Sequence, residues 1–253
     1  MKMLNKIIEN KKKEIEMAKK SLPLSSFIYK LEKSGRNFKK AISKNKLNLI
    51  AEIKRKSPSQ NTMAQEFNIK KILKVYNKYA DAISVLTDKK FFDGSLEDMK
   101  TASQLTSLPI LRKDFIIDKY QIYESRLYNA DAVLLIASLL SKNELSDFIK
   151  AAKKYNMDCV VEARTERDLN KALESDAEII GINNRDLNTL KVDTETTLKL
   201  IDKIPKNKII ISESGISSEG YINKIAGKVN AILVGTLFMN SKNLEAEILL
   251  LMK

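Results

Sequence analysis

Eight short apolar runs, rich in β-branched residues, recur along this chain from residue 47 onward. The runs are 47–53, 82–86, 109–111, 132–137, 159–161, 179–182, 209–211 and 231–234. The gaps between them hold segments with helical periodicity, such as 69–79, 143–155 and 196–204. Near-continuous apolar strands that alternate with helices are typical of a parallel sheet whose two faces are both buried.

Eight strand–helix units in about 200 residues match the size of a (β/α)8 TIM barrel of class α/β. A doubly wound sheet is the competing topology, and its first turn is usually rich in glycine. This chain has only seven glycines and no GxGxxG pattern, which favours the barrel. We therefore expect one domain over residues 1–253, with a barrel at 47–253.

Residues 1–46 are expected to form a helical N-terminal extension. Leu4, Ile7 and Ile15 recur at helical spacing, and a second amphipathic segment follows Pro23. This stretch holds 14 Lys and Arg against 4 Glu, which is most of the net charge of +13. Its lysines could simply face water, or they could guide an anionic substrate to the protein. No RNP, GxxG or zinc-finger pattern supports nucleic-acid binding.

Histidine is absent from the chain and cysteine occurs once, which narrows the chemistry. The sequence has no histidine, so histidine-dependent triads and histidine-ligated zinc are excluded. The single cysteine, Cys159, can form neither an internal disulfide nor a thiolate cluster, and this usage is typical of a reducing cytoplasm. The polar start of the chain is unlike a secretory signal, and no apolar run approaches the length of a membrane span. Acid–base catalysis then falls to Asp, Glu, Lys, Tyr or Cys159.

Polar residues at the ends of four predicted strands share the parity of inward-facing apolar residues. Strand alternation places Glu52 and Lys54 on the same face as Ile50, and it places Lys113 on the face of Leu111. By the same reasoning, Glu162, Asn183 and Arg185 are predicted to face inward. Buried charge is costly unless it meets solvent or a ligand, so these residues predict an active site at the carboxyl ends of the strands. Interior ion pairs that cap the barrel are the structural alternative.

The last two strands end in a pattern that suits a phosphate group. Ser214 and Gly215 follow strand 7, and Gly235 and Thr236 follow strand 8. Glycine allows the backbone to approach a ligand, and exposed N–H groups beside a hydroxyl bind anions. The loops after strands 7 and 8 are also the usual phosphate site of a barrel. A simple helix cap at Ser214 or Ser217 is the alternative.

Six ordered stretches resemble the indole-3-glycerol phosphate synthase family. They are AEIKRKSPS (51–59), SVLT (84–87), FFDGS (91–95), LRKDF (111–115), GINNRDL (181–187) and SESGI (212–216). The resemblance covers the whole chain in order, including an N-terminal extension before the first strand. It departs from the family at Gln60–Asn61, where Lys-Gly is frequent, and at Thr236, where Ser or Glu is common.

The resemblance implies the decarboxylative ring closure of 1-(2-carboxyphenylamino)-1-deoxyribulose 5-phosphate to indole-3-glycerol phosphate. It assigns Lys113 as proton donor to the ketone oxygen, and Glu162 and Lys54 as acid and base for the loss of water. It gives the other positions binding roles. Glu52 would hold substrate hydroxyls and act electrostatically on the lysines, Asn183 would orient the substrate, and Arg185 would bind negative charge. The phosphate would be bound by Ser57, Ser214, Gly215, Gly235 and Thr236. The aromatic ring would lie beside Phe92 and Phe115.

The resemblance implies no metal, no organic cofactor and no partner beyond a phosphorylated small molecule. A fused second domain is not expected, and the sequence does not indicate the oligomeric state. In the family, the extension lies over the catalytic mouth as a lid. Three other interpretations remain: phosphoribosylanthranilate isomerase, whose cysteine would follow strand 1, where Glu52 and Lys54 stand here; a basic nucleic-acid-binding protein; and a barrel without activity, against which the charged set argues.

Overall fold

A computed structural model describes residues 3–57 and 67–253. Its strands are β1 (Asn48–Ile53), β2 (Ala82–Leu86), β3 (Ile110–Lys113), β4 (Ala132–Ile136), β5 (Asp158–Ala163), β6 (Ile179–Asn183), β7 (Ile209–Glu213) and β8 (Ala231–Val234). Its α-helices are α1 (Met3–Ser21), α2 (Phe38–Ala41), α3 (Ile69–Tyr79), α4 (Lys89–Phe92), α5 (Leu96–Leu105), α6 (Tyr120–Leu127), α7 (Lys142–Lys153), α8 (Glu166–Leu173), α9 (Glu195–Ile201), α10 (Glu219–Ile225), α11 (Thr236–Asn240) and α12 (Leu244–Leu251). In these described ranges, no helix has the length and apolar character needed to cross a membrane.

The eight strands form a closed parallel barrel in chain order. Closure is made between the first and last strands, where Ile50 of β1 is in register with Leu233 of β8. The prediction of a (β/α)8 barrel is therefore confirmed, and the doubly wound alternative is wrong. Each apolar run in the sequence lies on one strand, although several strands extend by one or two polar residues at the carboxyl end, as β3 and β7 do.

Strand alternation divides the buried side chains between two layers. Residues such as Ile50, Leu111, Val160 and Ile211 belong to a cluster that fills the barrel interior. Their sequence neighbours, such as Leu49, pack outward against the ring of helices. Because the interior is filled by these side chains, ligands have access only at its ends.

The N-terminal extension is helical in its first part, but its second amphipathic segment is not an α-helix. Residues after Pro23 form two separate 3-10 turns, Leu24–Ser26 and Ile28–Lys30. Phe27 interrupts them with φ −137° and packs its buried ring edge-on against Tyr120, 6.0 Å between centroids. The expectation of a helix here was wrong, because the contact with Tyr120 determines the local backbone.

The basic residues of the extension bind carboxylates at both ends of the barrel. At the amino-terminal end, Arg36 pairs with Asp131 at 2.8 Å, and Lys44 pairs with Asp81 at 2.8 Å. These aspartates directly precede strands β4 and β2. At the carboxyl end, Lys11 of α1 is buried against barrel aspartates. Part of the positive charge therefore attaches the extension to the barrel and does not simply face water.

Candidate active site

A cavity of about 450 Å³ opens at the carboxyl ends of the strands. It is lined by all thirteen residues that the sequence nominated as catalytic or substrate-binding. They are Glu52, Lys54, Ser57, Phe92, Lys113, Phe115, Glu162, Asn183, Arg185, Ser214, Gly215, Gly235 and Thr236. The barrel thus brings these groups to one place, while their individual roles remain predictions.

Lys113, the last residue of β3, lies among carboxylates inside the mouth. Its ammonium nitrogen donates to Glu213 Oε2 at 2.6 Å and lies 3.5 Å from Glu162 Oε2. Burial alone would lower the pKa of Lys113, but the charges of Glu213, Glu162 and Glu52 outweigh it and hold the pKa above its ordinary value. The side chain therefore carries a proton at neutral pH.

Glu213, at the end of β7, belongs to this site although the sequence reasoning did not select it. It follows inward-facing Ile211 by two residues, so strand parity was a sufficient signal, but its motif was assigned only to phosphate binding. Burial raises the pKa of Glu213 to about 7, with Glu162 and Glu52 adding to the rise and Lys113 opposing it. Within the described part of the chain, Glu213 Oε1 has no hydrogen-bond partner.

Two glycines leave the space that the buried carboxylates occupy. A side chain at Gly181, on β6, would collide with Glu213 Oε1. A side chain at Gly235, just after β8, would collide with the carboxylate and Cβ of Glu52. The glycine beside each carboxylate therefore leaves the space in which that acidic group lies inside the barrel mouth.

Lys54 and Glu52 form a pair at the end of β1. Lys54 Nζ lies 2.5 Å from Glu52 Oε1 and donates to Thr236 Oγ1 at 2.9 Å. The hydroxyl of Thr236, which follows β8, therefore contacts Lys54, the catalytic candidate that follows β1. This contact gives a structural role to the residue that departs from the family pattern.

Asn183 and Arg185 lie where β6 ends. Asn183 Oδ1 accepts a hydrogen bond from the backbone N–H of Arg185 at 2.9 Å, and the Arg185 guanidinium donates to the carbonyl of Leu190 at 2.9 Å. Burial lowers the pKa of Arg185, and the charge of Glu52 opposes this. The guanidinium is thus held at the cavity wall by backbone contacts and has donors to offer a ligand.

The predicted phosphate site combines two backbone turns and one serine from the first loop. Ser214 and Gly215 both have positive φ, 66° and 74°, and Asn184 Nδ2 donates to the Ser214 carbonyl at 2.9 Å. Both residues line the cavity, so the tight turn that they form brings the backbone close to a ligand there. The cap of α10 is Ser218, so the alternative of a cap at Ser214 or Ser217 is wrong.

The other phosphate candidates also line the cavity. Gly235 precedes α11, and Ser57 is buried beside the cavity. Gln60 and Asn61, where the sequence departs from the family, lie outside the described residues.

Phe92 and Phe115 form the aromatic side of the cavity. Their ring centroids lie 6.2 Å apart at an interplanar angle of 39°. Phe92 ends the short helix α4, and Phe115 follows β3 by two residues. The two tilted rings give this part of the cavity an apolar, aromatic lining.

Comparison with known proteins finds one family over nearly the whole chain. The family model for indole-3-glycerol phosphate synthase matches residues 4–251. A protein of that name from Thermoanaerobacter pseudethanolicus is 46% identical over 241 residues, which cover 94% of this chain and 92% of the relative. A similar protein of the same name from Endomicrobium trichonymphae is 43% identical over 249 residues, covering 96% of each chain.

Some relatives are longer than this chain. The tryptophan biosynthesis protein TrpCF of Buchnera aphidicola subsp. Diuraphis noxia is 44% identical over 243 residues, which cover 96% of this chain but 54% of the relative. Among solved structures, a ligand-bound crystal structure of KGPDC from Streptococcus mutans has a TM-score of 0.61 at 14% identity, covering 81% of this chain and 95% of that one. At that identity, the likeness shows the barrel fold alone.

Proposed function

Since the chain belongs to the indole-3-glycerol phosphate synthase family, we propose that it converts 1-(2-carboxyphenylamino)-1-deoxyribulose 5-phosphate to indole-3-glycerol phosphate, with release of CO2 and water, in tryptophan biosynthesis. The observation that carries this proposal is the convergence of Glu52, Lys54, Lys113 and Glu162 on one cavity. Three different strands supply these groups, as a reaction with several proton transfers requires.

Ring closure is the first chemical step, and Lys113 is proposed as its general acid. The ring carbon that bears the carboxylate forms a bond to the ketone carbon, and the ketone oxygen takes a proton from the Lys113 ammonium. Glu213 and Glu162 support this role because they keep that ammonium charged. Loss of CO2 then returns the bonding electrons to the ring, with the iminium formed on closure as the electron sink, so no metal or organic cofactor is required.

Loss of water completes the pyrrole ring and needs an acid and a base. The hydroxyl that was the ketone oxygen leaves as water after it takes a second proton, and a proton is lost from the ring system. Lys54 and Glu162 are proposed for these two transfers. Glu52, 2.5 Å from the Lys54 nitrogen, would bind substrate hydroxyls and act electrostatically on the neighbouring lysines.

The remaining residues are proposed to bind the two ends of the substrate. Ser57, Ser214, Gly215, Gly235 and Thr236 would hold the phosphate, and Phe92 with Phe115 would flank the carboxyphenyl ring. Asn183 would orient the substrate, and Arg185 would bind its carboxylate before CO2 is lost. Both sets of residues line the same cavity, which supports binding of the whole substrate there.

The test is fluorescence detection of the indole product when the purified chain meets the carboxyphenylamino substrate. Turnover that persists with a chelator such as EDTA is expected, because the proposed steps use only side chains. Absence of turnover by the folded protein would contradict the proposal.

Phosphoribosylanthranilate isomerase is the alternative barrel activity, and the position of Cys159 does not favour it. The cysteine lies near the amino-terminal end of β5 and is not among the described residues that line the cavity. We further propose that residues 1–253 act as one domain, an extension at 1–46 and a barrel at 47–253, without nucleic acid. Addition of duplex DNA should leave turnover unchanged.

A further inference from the structure

Lys11, on the extension helix α1, is buried among three carboxylates. Only 4% of the residue is exposed, and its ammonium nitrogen lies 2.7 Å from Glu14, 2.9 Å from Asp88 and 2.9 Å from Asp114. The two aspartates come from different parts of the barrel, since Asp88 follows β2 and Asp114 follows β3. One lysine therefore joins the extension to two adjacent βα loops.

Each of these aspartates also holds the backbone that carries one ring of the aromatic pair. Asp88 caps α4 by accepting a hydrogen bond from Phe91 N–H at 2.8 Å, and Phe92 ends that helix. Asp114 Oδ1 accepts from the N–H of Phe115 at 2.8 Å. Lys11 therefore contacts both carboxylates that fix the positions from which the two rings enter the cavity.

The rest of the geometry makes Lys11 the link between these two supports. The other oxygen of Asp114 is bound by Thr87 at 2.7 Å and Arg112 at 3.0 Å, which hold it to the barrel and not to α4. One turn before Lys11 on the same face of α1, Ile7 lines the cavity beside the two rings. Displacement of Lys11 would therefore move the aromatic pair and the apolar wall above it together.

We infer that Lys11 is a positioning residue for the aromatic end of the substrate. By bridging Asp88 and Asp114, it sets the spacing of Phe92 and Phe115 and seats Ile7 over the ring that they bind. This inference rests on the proposed function, because it names how that substrate's carboxyphenyl group is held. It assigns no contact between Lys11 and the reacting atoms or the phosphate.

The experiment compares Lys11→Met with the parent and with Lys12→Met, which removes the same charge from an exposed position of the same helix. For Lys11→Met we expect KM and the inhibition constant of 2-aminobenzoate to rise by about tenfold or more, while kcat stays within about threefold, because uniform binding is lost. The inhibition constant of inorganic phosphate should not change. Lys12→Met should match the parent in all four values.

Three results would overturn the inference. An unchanged KM in folded Lys11→Met would show that the aromatic pair does not depend on this lysine. An equal loss in Lys12→Met would show that charge alone matters. Parallel weakening of phosphate and 2-aminobenzoate would show a general support of the mouth.

If Lys11→Met does not fold, Lys11→Arg decides. Its larger planar head keeps the charge but must separate the two aspartates, so KM should rise with phosphate inhibition retained. An unchanged KM in Lys11→Arg would then overturn the inference. Parent turnover in the same assay separates this outcome from failure of the proposed function.

Discussion

Two buried lysines, Lys11 and Lys113, each lie among carboxylates at the same end of the barrel, yet their surroundings differ. Lys11 has acidic partners at 2.9 Å or less, and Asp114 beside it is also bound by Thr87, Arg112 and a backbone N–H. Lys113 has one close partner, Glu213, whose second oxygen is unbonded within the described residues. Within the described residues, Asp88 Oδ2 and Glu213 Oε1 both lack a hydrogen bond, so the two clusters differ at Asp114, whose oxygens are both hydrogen-bonded.

The pKa directions of Asp114 and Glu213 also differ, although burial raises the pKa of Asp88 in the first cluster as well. Burial opposes ionisation of Asp114, but Lys11 and Arg112 prevail and hold its pKa well below the usual range. Burial of Glu213 prevails over Lys113 and raises its pKa to about 7. A carboxylate with a depressed pKa stabilises the fold, whereas one that titrates near neutrality is suited to proton transfer. We therefore expect Asp114 to matter for stability and Glu213 to matter for catalysis.

The largest expected effect is on catalysis at Lys113. Lys113→Met should lower kcat by roughly 10²–10⁴ or more, because the chain has no histidine and no other ammonium at the end of β3 to replace the acid. Steady-state kinetics of the purified variant measures this. Lys89→Met, an exposed change outside the site, is the control for charge. Comparable kcat in Lys113→Met and the parent would remove Lys113 from the mechanism.

The next largest effect should be a loss of stability when Asp114 is removed from the group of carboxylates around Lys11. Asp114→Asn leaves Lys11 and Arg112 without their shared carboxylate, so we expect a loss of about 3–5 kcal/mol in unfolding free energy at pH 7. The folded pKa of Asp114 is depressed, so its contribution is present above the unfolded pKa and is lost as pH falls through the folded one. Urea unfolding at pH 7 and at acidic pH measures both.

Asp118→Asn is the matched control for this stability measurement. Asp118 also binds a lysine of α1, Lys19, at 2.6 Å, but both side chains are partly exposed. The exposed pair should contribute only about 0–1 kcal/mol. Equal losses of unfolding free energy in the two variants would contradict the claim that burial makes the Asp114 contacts worth more than the exposed Lys19–Asp118 pair.

Glu213 should affect stability with the opposite pH dependence. The folded state keeps the Glu213 proton up to about pH 7, whereas the unfolded chain loses it near the ordinary pKa of 4.5. The parent should therefore lose unfolding free energy, about 2 kcal/mol, as pH rises from about 5 to 7. Glu213→Gln should remove this decline in urea unfolding series. A decline of equal size in the variant would assign it to other groups.

Strand parity and motif order were sufficient to predict the barrel and the thirteen cavity residues. Parity works here because inward and outward positions alternate strictly on short buried strands, so Lys113 follows Leu111 and Glu162 follows Val160. The same rule predicts that Glu213 faces inward, because it follows Ile211 by two residues on β7. The motif that contains Glu213 was interpreted only as a phosphate site. The information was present in the sequence, and only the assignment was incomplete.

The extension was harder to predict, because its structure depends on contacts distant in sequence. Helical spacing identified α1, but nothing local distinguishes Lys11 from the exposed Lys12 or indicates that Asp88 and Asp114 will surround it. In the same way, the apolar pattern after Pro23 fits an α-helix, and nothing local indicates that Phe27 will pack against Tyr120 between two 3-10 turns. Periodicity gives the face of a helix, whereas the partners on that face come from the fold.

The most direct test of the central claim is the pH dependence of kcat/KM in the parent and in Glu213→Gln. If Glu213, the carboxylate that binds Lys113, takes part in the reaction, kcat/KM of the parent should rise as pH rises through about 7, where Glu213 ionises. It should then level off. Titration of the substrate phosphate near pH 6 is common to both proteins. The account predicts that the rise near pH 7 is absent from the residual activity of Glu213→Gln; an identical rise in both proteins would contradict it.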